Sequence, residues 1–182
     1  KSSSSICLCL IVLIFSPVLL VAEDEMIFSL AAEGNSEELG EALQDFPDIN
    51  KTDTNGMTLL LNAVLYGNLK NTVTLLEAGA DPEISNGLGL NPRFLAIRNG
   101  DMELVDILLD KGADSEAQIE DGSTPLIFAS MLGELGVVRN LLNRGVNVEA
   151  QTANGETALI AASFEGHLGI VRLLLDQGAD IE

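Results

Sequence analysis

The hydrophobic positions in the middle of the chain recur with a helical period. Between residues 134 and 143 they follow the i, i+3, i+4, i+7 spacing of a helix with one buried face. These positions are Leu135, Val137, Val138, Leu141 and Leu142. The stretch 124–133 begins with Thr-Pro, which favours a helix start, and ends at a glycine that can adopt a positive φ. The polar, turn-rich stretch 148–155 predicts a hairpin-like loop.

This unit of helix, turn, helix and long loop is repeated every 33 residues. Three interleaved glycine series share that spacing and predict that each copy turns at the same three places. The series are Gly34, Gly67, Gly100, Gly133 and Gly166; Gly79, Gly112, Gly145 and Gly178; and Gly56, Gly89, Gly122 and Gly155. One such unit cannot bury its apolar face alone, so the sequence predicts a solenoid of stacked copies.

The repeat resembles the ankyrin repeat, which has the same period. The motif at 157–167 reads Thr-Ala-Leu-Ile-Ala-Ala-Ser-Phe-Glu-Gly-His, and Gly-Ala-Asp recurs at 79–81, 112–114 and 178–180. The resemblance implies an all-α ankyrin-repeat solenoid of stacked helix-turn-helix units with hairpin-like loops. Behind an N-terminal segment 1–22 we expect five units. They are a capping first unit at 23–52, then repeats at 53–85, 86–118 (irregular), 119–151 and 152–182, the last truncated at the chain end.

The third unit departs from the pattern at Arg93, which aligns with Leu60, Leu126 and Leu159 of its neighbours. A buried guanidinium without a partner would cost several kcal/mol. We therefore expect either that Arg93 is paired or that its helix start is shifted outward.

The N-terminal segment has the pattern of an export signal. Lys1 precedes an uncharged apolar stretch, 6–22, which is followed at once by acidic residues from Glu23 onward. This pattern predicts a secretory signal peptide cleaved after Ala22, with an uncleaved membrane anchor formed by residues 6–22 as the alternative. Both cysteines lie within it, so the mature chain would have no disulfide and no thiolate metal site. We expect an exported protein, periplasmic or secreted.

The net charge of −19 narrows the class of partner. Binding to nucleic acid or anionic lipid requires clustered basic side chains, and residues 23–48 contain no Lys or Arg. We therefore expect no nucleic-acid partner, and a membrane contact only if the N-terminal segment is uncleaved. Two interpretations of the acidic first unit stay open: a solvated cap, or a surface that steers a basic partner.

The chain offers little for catalysis. Its only histidine, His167, takes the turn position that Asn35, Asn68, Asp101 and Glu134 take in the other units, and we expect it to cap the second helix. No second histidine or mature cysteine is available to activate a nucleophile, and no carboxylate spacing resembles a calcium loop. The sequence predicts a protein that is no enzyme, without cofactor, metal or small-molecule ligand.

Binding to a protein partner of unknown identity is the better prediction. The resemblance implies a concave surface made of loop tips and the exposed face of each first helix. The residues that carry over to it are Met57, Leu65, Tyr66, Leu90, Arg98, Asn99, Met131, Leu132, Phe164 and Glu165. Apolar residues at such positions favour an anchor for a partner, although Leu65, Met131 and Phe164 could instead pack between units. The predicted function is a non-catalytic protein–protein interaction scaffold. The alternative is a regulatory or targeting ankyrin region of a larger enzyme that continues beyond Glu182.

Overall fold

A computed structural model describes residues 17–181, and within that range the chain forms ten α-helices and no strand. The helices are α1 (Pro17–Glu33), α2 (Ser36–Leu43), α3 (Leu59–Leu65), α4 (Leu69–Glu77), α5 (Pro92–Arg98), α6 (Met102–Asp110), α7 (Pro125–Leu132), α8 (Leu135–Asn143), α9 (Ala158–Phe164) and α10 (Leu168–Asp176). They alternate as the first and second helices of successive pairs. The predicted all-α solenoid of helix-turn-helix units is confirmed.

The first helix runs through the position at which we expect cleavage. Helix α1 begins at Pro17 and continues past Ala22 into the first unit. The remainder of the predicted export signal, residues 1–16, lies outside the described residues. Within residues 17–181, none of the helices has the length and apolar character needed to cross a bilayer.

The first helices of the second to fifth units all begin at a side chain that accepts a hydrogen bond from the backbone three residues later. This bond satisfies one of the amides that a helix start leaves without a partner. The donors are the N–H groups of Leu61, Phe94, Ile127 and Ile160, and the acceptors are Thr58, Asn91, Thr124 and Thr157. The helix start predicted at Thr124-Pro125 is confirmed, with Thr124 as the N-cap and the proline in the first turn.

The second helices are capped less uniformly. Asn35, Asn68 and Asp101 each accept a backbone N–H in the first turn, whereas Glu134 and His167 make no such bond. His167 is the N-cap residue of α10, as predicted, but the prediction that its side chain makes the capping bond is wrong. Its ring packs over Gly133 of the preceding unit, and its Nε2 lies 3.2 Å from the carbonyl oxygen of Met131. The imidazole is thus engaged between two units and not with its own helix.

Stacking of the units produces one continuous apolar core from Ile27 to Leu174. Phe94 and Phe128 meet edge to face in it, with ring centroids 5.3 Å apart. The predicted buried face of α8 holds for Val137, Val138 and Leu141, but Leu135 is more than a third exposed. Its place at the very start of α8, next to the turn, sets it outside the face that packs on α7.

The glycines of the three series adopt a positive φ, with the exception of Gly34. At Gly34 the reason for glycine is close approach, because a Cβ there would lie 2.6 Å from the carbonyl oxygen of Leu30. Gly34 still lies in the turn between α1 and α2, as predicted, but it does so without a positive φ.

Successive loops are joined by a repeated hydrogen bond, which we call the loop rung. In each rung a side-chain oxygen accepts a backbone N–H that lies 31 residues later in the chain. The acceptor–donor pairs are Asn50–Asp81 (2.9 Å), Glu83–Asp114 (3.0 Å), Glu116–Asn147 (2.6 Å) and Glu149–Asp180 (2.9 Å). Each rung fixes the spacing between neighbouring units at the loop side of the stack.

Charged side chains also join the second helices of neighbouring units. The Nη2 atom of Arg144 lies 2.8 Å from carboxylate oxygens of both Asp106 and Asp110. Hydrogen bonding to Asp106, and then to Asp110, raises the pKa of Arg144. Lys111 pairs in the same way with Glu77 of the unit before it, at 2.9 Å.

Arg93 is fully buried and paired, so the first of the two expected outcomes holds. Its Nη1 lies 3.2 Å from Oε1 of Glu83, and its guanidinium lies 5.5 Å from the ring centroid of Phe94. Oε2 of Glu83 accepts a further bond from Asn91 at 3.0 Å. The start of α5 is not shifted, because its N-cap Asn91 lies 33 residues after Thr58. The Nε and Nη2 atoms of Arg93 have no hydrogen-bond partner among residues 17–181.

Candidate protein-binding surface

Most of the predicted partner-binding residues lie together at one edge of the stack. We call this edge the turn edge and define it as residues 65–69, 98–102, 131–135 and 164–168, which connect the first helix of each unit to the second. Leu65, Arg98 and Phe164 are the last residues of their first helices. Because the units share one register, the equivalent side chains follow one another along this edge.

The exposed apolar surface of the turn edge is unevenly distributed. Phe164 is 84% exposed and Tyr66 is 58% exposed, whereas Leu65, Met131 and Leu132 are each about 40% exposed. The last three side chains are therefore covered over more than half of their surface. Arg98, Asn99 and Glu165 are exposed and interrupt the apolar residues.

Met57 and Leu90 do not join this group. Each lies immediately before the N-cap of a first helix, at the opposite end from the turn edge. A helix of seven residues separates the two ends by about 10 Å. Leu90 is only 8% exposed, and Met57 packs against the core. The large apolar side chain that the loop between α4 and α5 does present to solvent is Leu88, which is 76% exposed.

Hydrogen bonds between units hold the turn edge in place. The side-chain amide of Asn99 donates to the carbonyl oxygen of Leu65 at 3.3 Å, and that of Asn68 donates to the carbonyl oxygen of Gly34 at 3.2 Å. His167 makes the corresponding contact with Met131. The backbone that carries these side chains is therefore fixed from the next unit, which reduces the ordering that binding would require.

The turn edge also carries a second apolar row, which the sequence pattern did not predict. Met102, Leu135 and Leu168 are the first residues of their second helices, and each is more than a third exposed. Met102 lies over Gly136 of the next unit, with its sulfur 3.5 Å from the place of a Cβ there. The 33-residue spacing of these positions could have found the row, but the helical period placed Leu135 on a buried face.

The fifth unit also carries an open depression of about 810 Å³, lined in part by Ile160, Phe164 and Leu175. Its apolar character follows from stacking: Ile160 is exposed, while its equivalents Leu61, Phe94 and Ile127 are buried under a further unit. Such an end face gives no argument for a small-molecule site. Among the side chains that the structure describes, residues 25–181, there is no group of three or more His, Cys, Asp or Glu that could hold a metal ion.

Comparison with known families agrees with this architecture. Residues 93–182 match the family model of ankyrin repeats, in three copies. A comparison with curated proteins gave no match. Ankyrin repeats are generally protein–protein interaction modules and are typically non-catalytic. Because the matched residues and the helices before them share one period and one stack, the chain is an ankyrin repeat protein.

Proposed function

We propose that this protein is an exported, non-catalytic scaffold that binds a partner protein through its turn edge. The observation that carries the proposal is the recurrence of large exposed apolar side chains at one edge of a strongly acidic chain. Tyr66, Met102, Met131, Leu132 and Phe164 are all among them. Contiguous exposed apolar surface on a soluble protein marks an interaction site more often than scattered single residues do.

The composition of the turn edge suits a protein partner. Exposed aromatic residues are frequent anchors of protein interfaces, and the turn edge presents two of them, Tyr66 and Phe164. Arg98 and Glu165 lie between the apolar residues and would supply a polar surround. The net charge of −19 disfavours a nucleic acid in the same role.

The absence of catalysis is part of the proposal. His167, the histidine of the sequence, is engaged with the Met131 carbonyl and lies over Gly133. Export is proposed from the sequence of the N-terminus, where an uncharged stretch at 6–22 lies between Lys1 and Glu23. A scaffold outside the cytoplasm would meet its partner there.

The test replaces the two most exposed aromatic residues of the turn edge. We expect Tyr66→Ser with Phe164→Ser to abolish capture of partners from the exported proteins of the producing cells. Loss of an interface anchor costs about 2 kcal/mol, which corresponds to roughly 30-fold in affinity. Folding should change little, because exposed substitutions usually fall within about 0.5 kcal/mol each.

The matched control is Leu88→Ser, which removes an equally exposed apolar side chain from a loop outside the turn edge. It should leave both capture and the melting temperature unchanged. If Leu88→Ser abolishes capture and the turn-edge variant does not, the surface has been placed at the wrong edge. If the turn-edge variant melts many degrees lower, its residues belong to the core, and the proposed surface is wrong.

A further inference from the structure

The first loop rung differs from the others in chemistry. Asn50 supplies an amide where Glu83, Glu116 and Glu149 supply carboxylates. Asn50 is also the first residue of Asn50-Lys51-Thr52, which is the only Asn-X-Ser/Thr tripeptide in the sequence. That tripeptide, with a residue other than proline in the middle, is the acceptor for N-linked glycosylation.

The hydrogen bonds of Asn50 leave its Nδ2 atom, to which an N-linked sugar attaches, without a partner within the described residues. Its Oδ1 accepts the N–H of Asp81 at 2.9 Å, and its backbone N–H donates to Oδ1 of Asp48 at 3.0 Å. Its Nδ2 has no hydrogen-bond partner among the described side chains and backbone groups. The side-chain atoms that are both buried and without a partner belong to Asn71, Arg93 and Ser130, and not to Asn50. The Nδ2 atom is therefore open to solvent. Thr52, the third residue of the tripeptide, is exposed.

We propose that Asn50 carries an N-linked oligosaccharide on Nδ2. The inference rests on the proposed export, because the transferase acts in the secretory lumen. In the transfer, Nδ2 attacks C1 of the first sugar of a polyprenyl-diphosphate-linked oligosaccharide. The new N–C1 bond replaces the C1–O bond to the diphosphate, which departs as the leaving group, and the amide loses one proton.

The loop rung and the glycan are compatible because they use different atoms. After transfer, Oδ1 of Asn50 still accepts the N–H of Asp81, so the spacing of the first two units is kept. A glutamate at this position, as in the later units, would keep the rung but exclude the glycan. Asn50 also lies in the loop that leads into the start of α3, whereas Tyr66 follows its end. We therefore expect the turn edge to stay accessible in the glycosylated protein.

The experiment expresses the full chain, preceded by an initiator methionine, in eukaryotic secretory cells. The protein is followed by gel mobility before and after endoglycosidase treatment and by peptide mass spectrometry. Wild type and Thr52→Ser should carry one glycan, while Asn50→Gln and Thr52→Ala should carry none. The Asn50→Gln variant retains an acceptor oxygen for the rung, so its loss of the glycan is not a folding effect.

A second acceptor tripeptide, introduced by mutation, shows whether the repeats reach the secretory lumen. Glu116→Asn together with Gln118→Thr places Asn-X-Thr at the equivalent rung of the third unit. We expect that variant to carry two glycans, one at each rung. A glycan at the third-unit rung alone would overturn the inference at Asn50 while leaving export intact. A protein with neither glycan would overturn both the inference and the proposed export.

Discussion

Removing the carboxylate of Glu83 should destabilise the protein far more than removing the guanidinium with which it pairs. In Glu83→Ala, Arg93 stays fully buried and loses its hydrogen-bonded partner, while Asn91 and the N–H of Asp114 lose their acceptors. In Arg93→Leu, the remaining Glu83 carboxylate is 40% exposed and can be solvated. The asymmetry of burial therefore predicts an asymmetry in unfolding free energy.

The magnitudes follow from that burial. Breaking a buried ion pair by removing one partner costs about 3–5 kcal/mol. Because Glu83 is partly exposed, solvent already screens the pair, and we expect the lower end, about 3 kcal/mol. Arg93→Leu removes two buried donors that have no partner and restores the residue type of Leu60 and Leu126, so the unfolding free energy should stay constant or rise by about 1 kcal/mol.

Urea unfolding followed by far-UV circular dichroism measures these differences. A loss of about 3 kcal/mol corresponds to a melting temperature lower by roughly 6–12 °C. The double variant Arg93→Leu with Glu83→Ala should lose only about 1 kcal/mol, which gives a coupling energy of about 1–2 kcal/mol. Glu116→Ala is the matched control, since it removes a rung with no buried arginine and should also cost about 1 kcal/mol.

An Arg93→Leu variant as unstable as Glu83→Ala would contradict the predicted asymmetry. It would mean that the guanidinium contributes packing or a contact with Phe94 that outweighs its two unpartnered nitrogens. A Glu116→Ala variant as unstable as Glu83→Ala would show that the loop rung, and not the ion pair, holds the third unit.

Three further outcomes are expected. Amide hydrogen exchange should be fastest in α9 and α10, where Phe164 and Leu168 are exposed, and slowest in α6 and α7. Uniform protection would mean that self-association covers the exposed face of the fifth unit. Secretory cells should release a product about 22 residues shorter than its precursor, and a full-length cytoplasmic product would contradict export. Pairing with Asp106 raises the pKa of Arg144, so its stabilisation is present at every pH below its ordinary pKa and is lost only above the raised value. The destabilisation by Arg144→Ala should therefore be the same at pH 7 and pH 9.

The fold was predictable because its signals are local and repeated. Thr124-Pro125 marks a helix start from two adjacent residues, and the glycines mark turns whose positive φ requires no knowledge of the neighbouring units. The pairing of Arg93 was predictable as one of two outcomes, since a buried charge allows few alternatives. Its partner was not, because Glu83 lies in the preceding loop and its equivalents Glu116 and Glu149 accept loop N–H groups without pairing with an arginine in the described part of the chain.

Exposure at the candidate surface was less predictable because it depends on side chains about 33 residues away. Leu88 and Leu90 belong to the same loop, yet the first is exposed and the second is buried. The sequence placed Leu90 at the surface because it resembles a loop-tip position. The helical period also assigned Leu135 to the buried face of α8. The period alone cannot distinguish a first helical residue, which lies exposed beside a turn, from a buried residue on the same face.

The same dependence on neighbouring units explains the error at His167 and leads to a last prediction. Asn68, at the equivalent position, accepts the N–H of Asn71 through Oδ1 at 3.1 Å, and its Nδ2 donates at 3.4 Å to the carbonyl oxygen of Ala32, the residue equivalent to Met131. His167→Asn should therefore gain the cap while keeping the bond to Met131. We expect about 1 kcal/mol of stabilisation, or roughly 2–4 °C in melting temperature, and a loss of similar size for the reverse change Asn68→His. A lower melting temperature for His167→Asn would mean that packing of the imidazole over Gly133 stabilises the last two units more than a capped helix would.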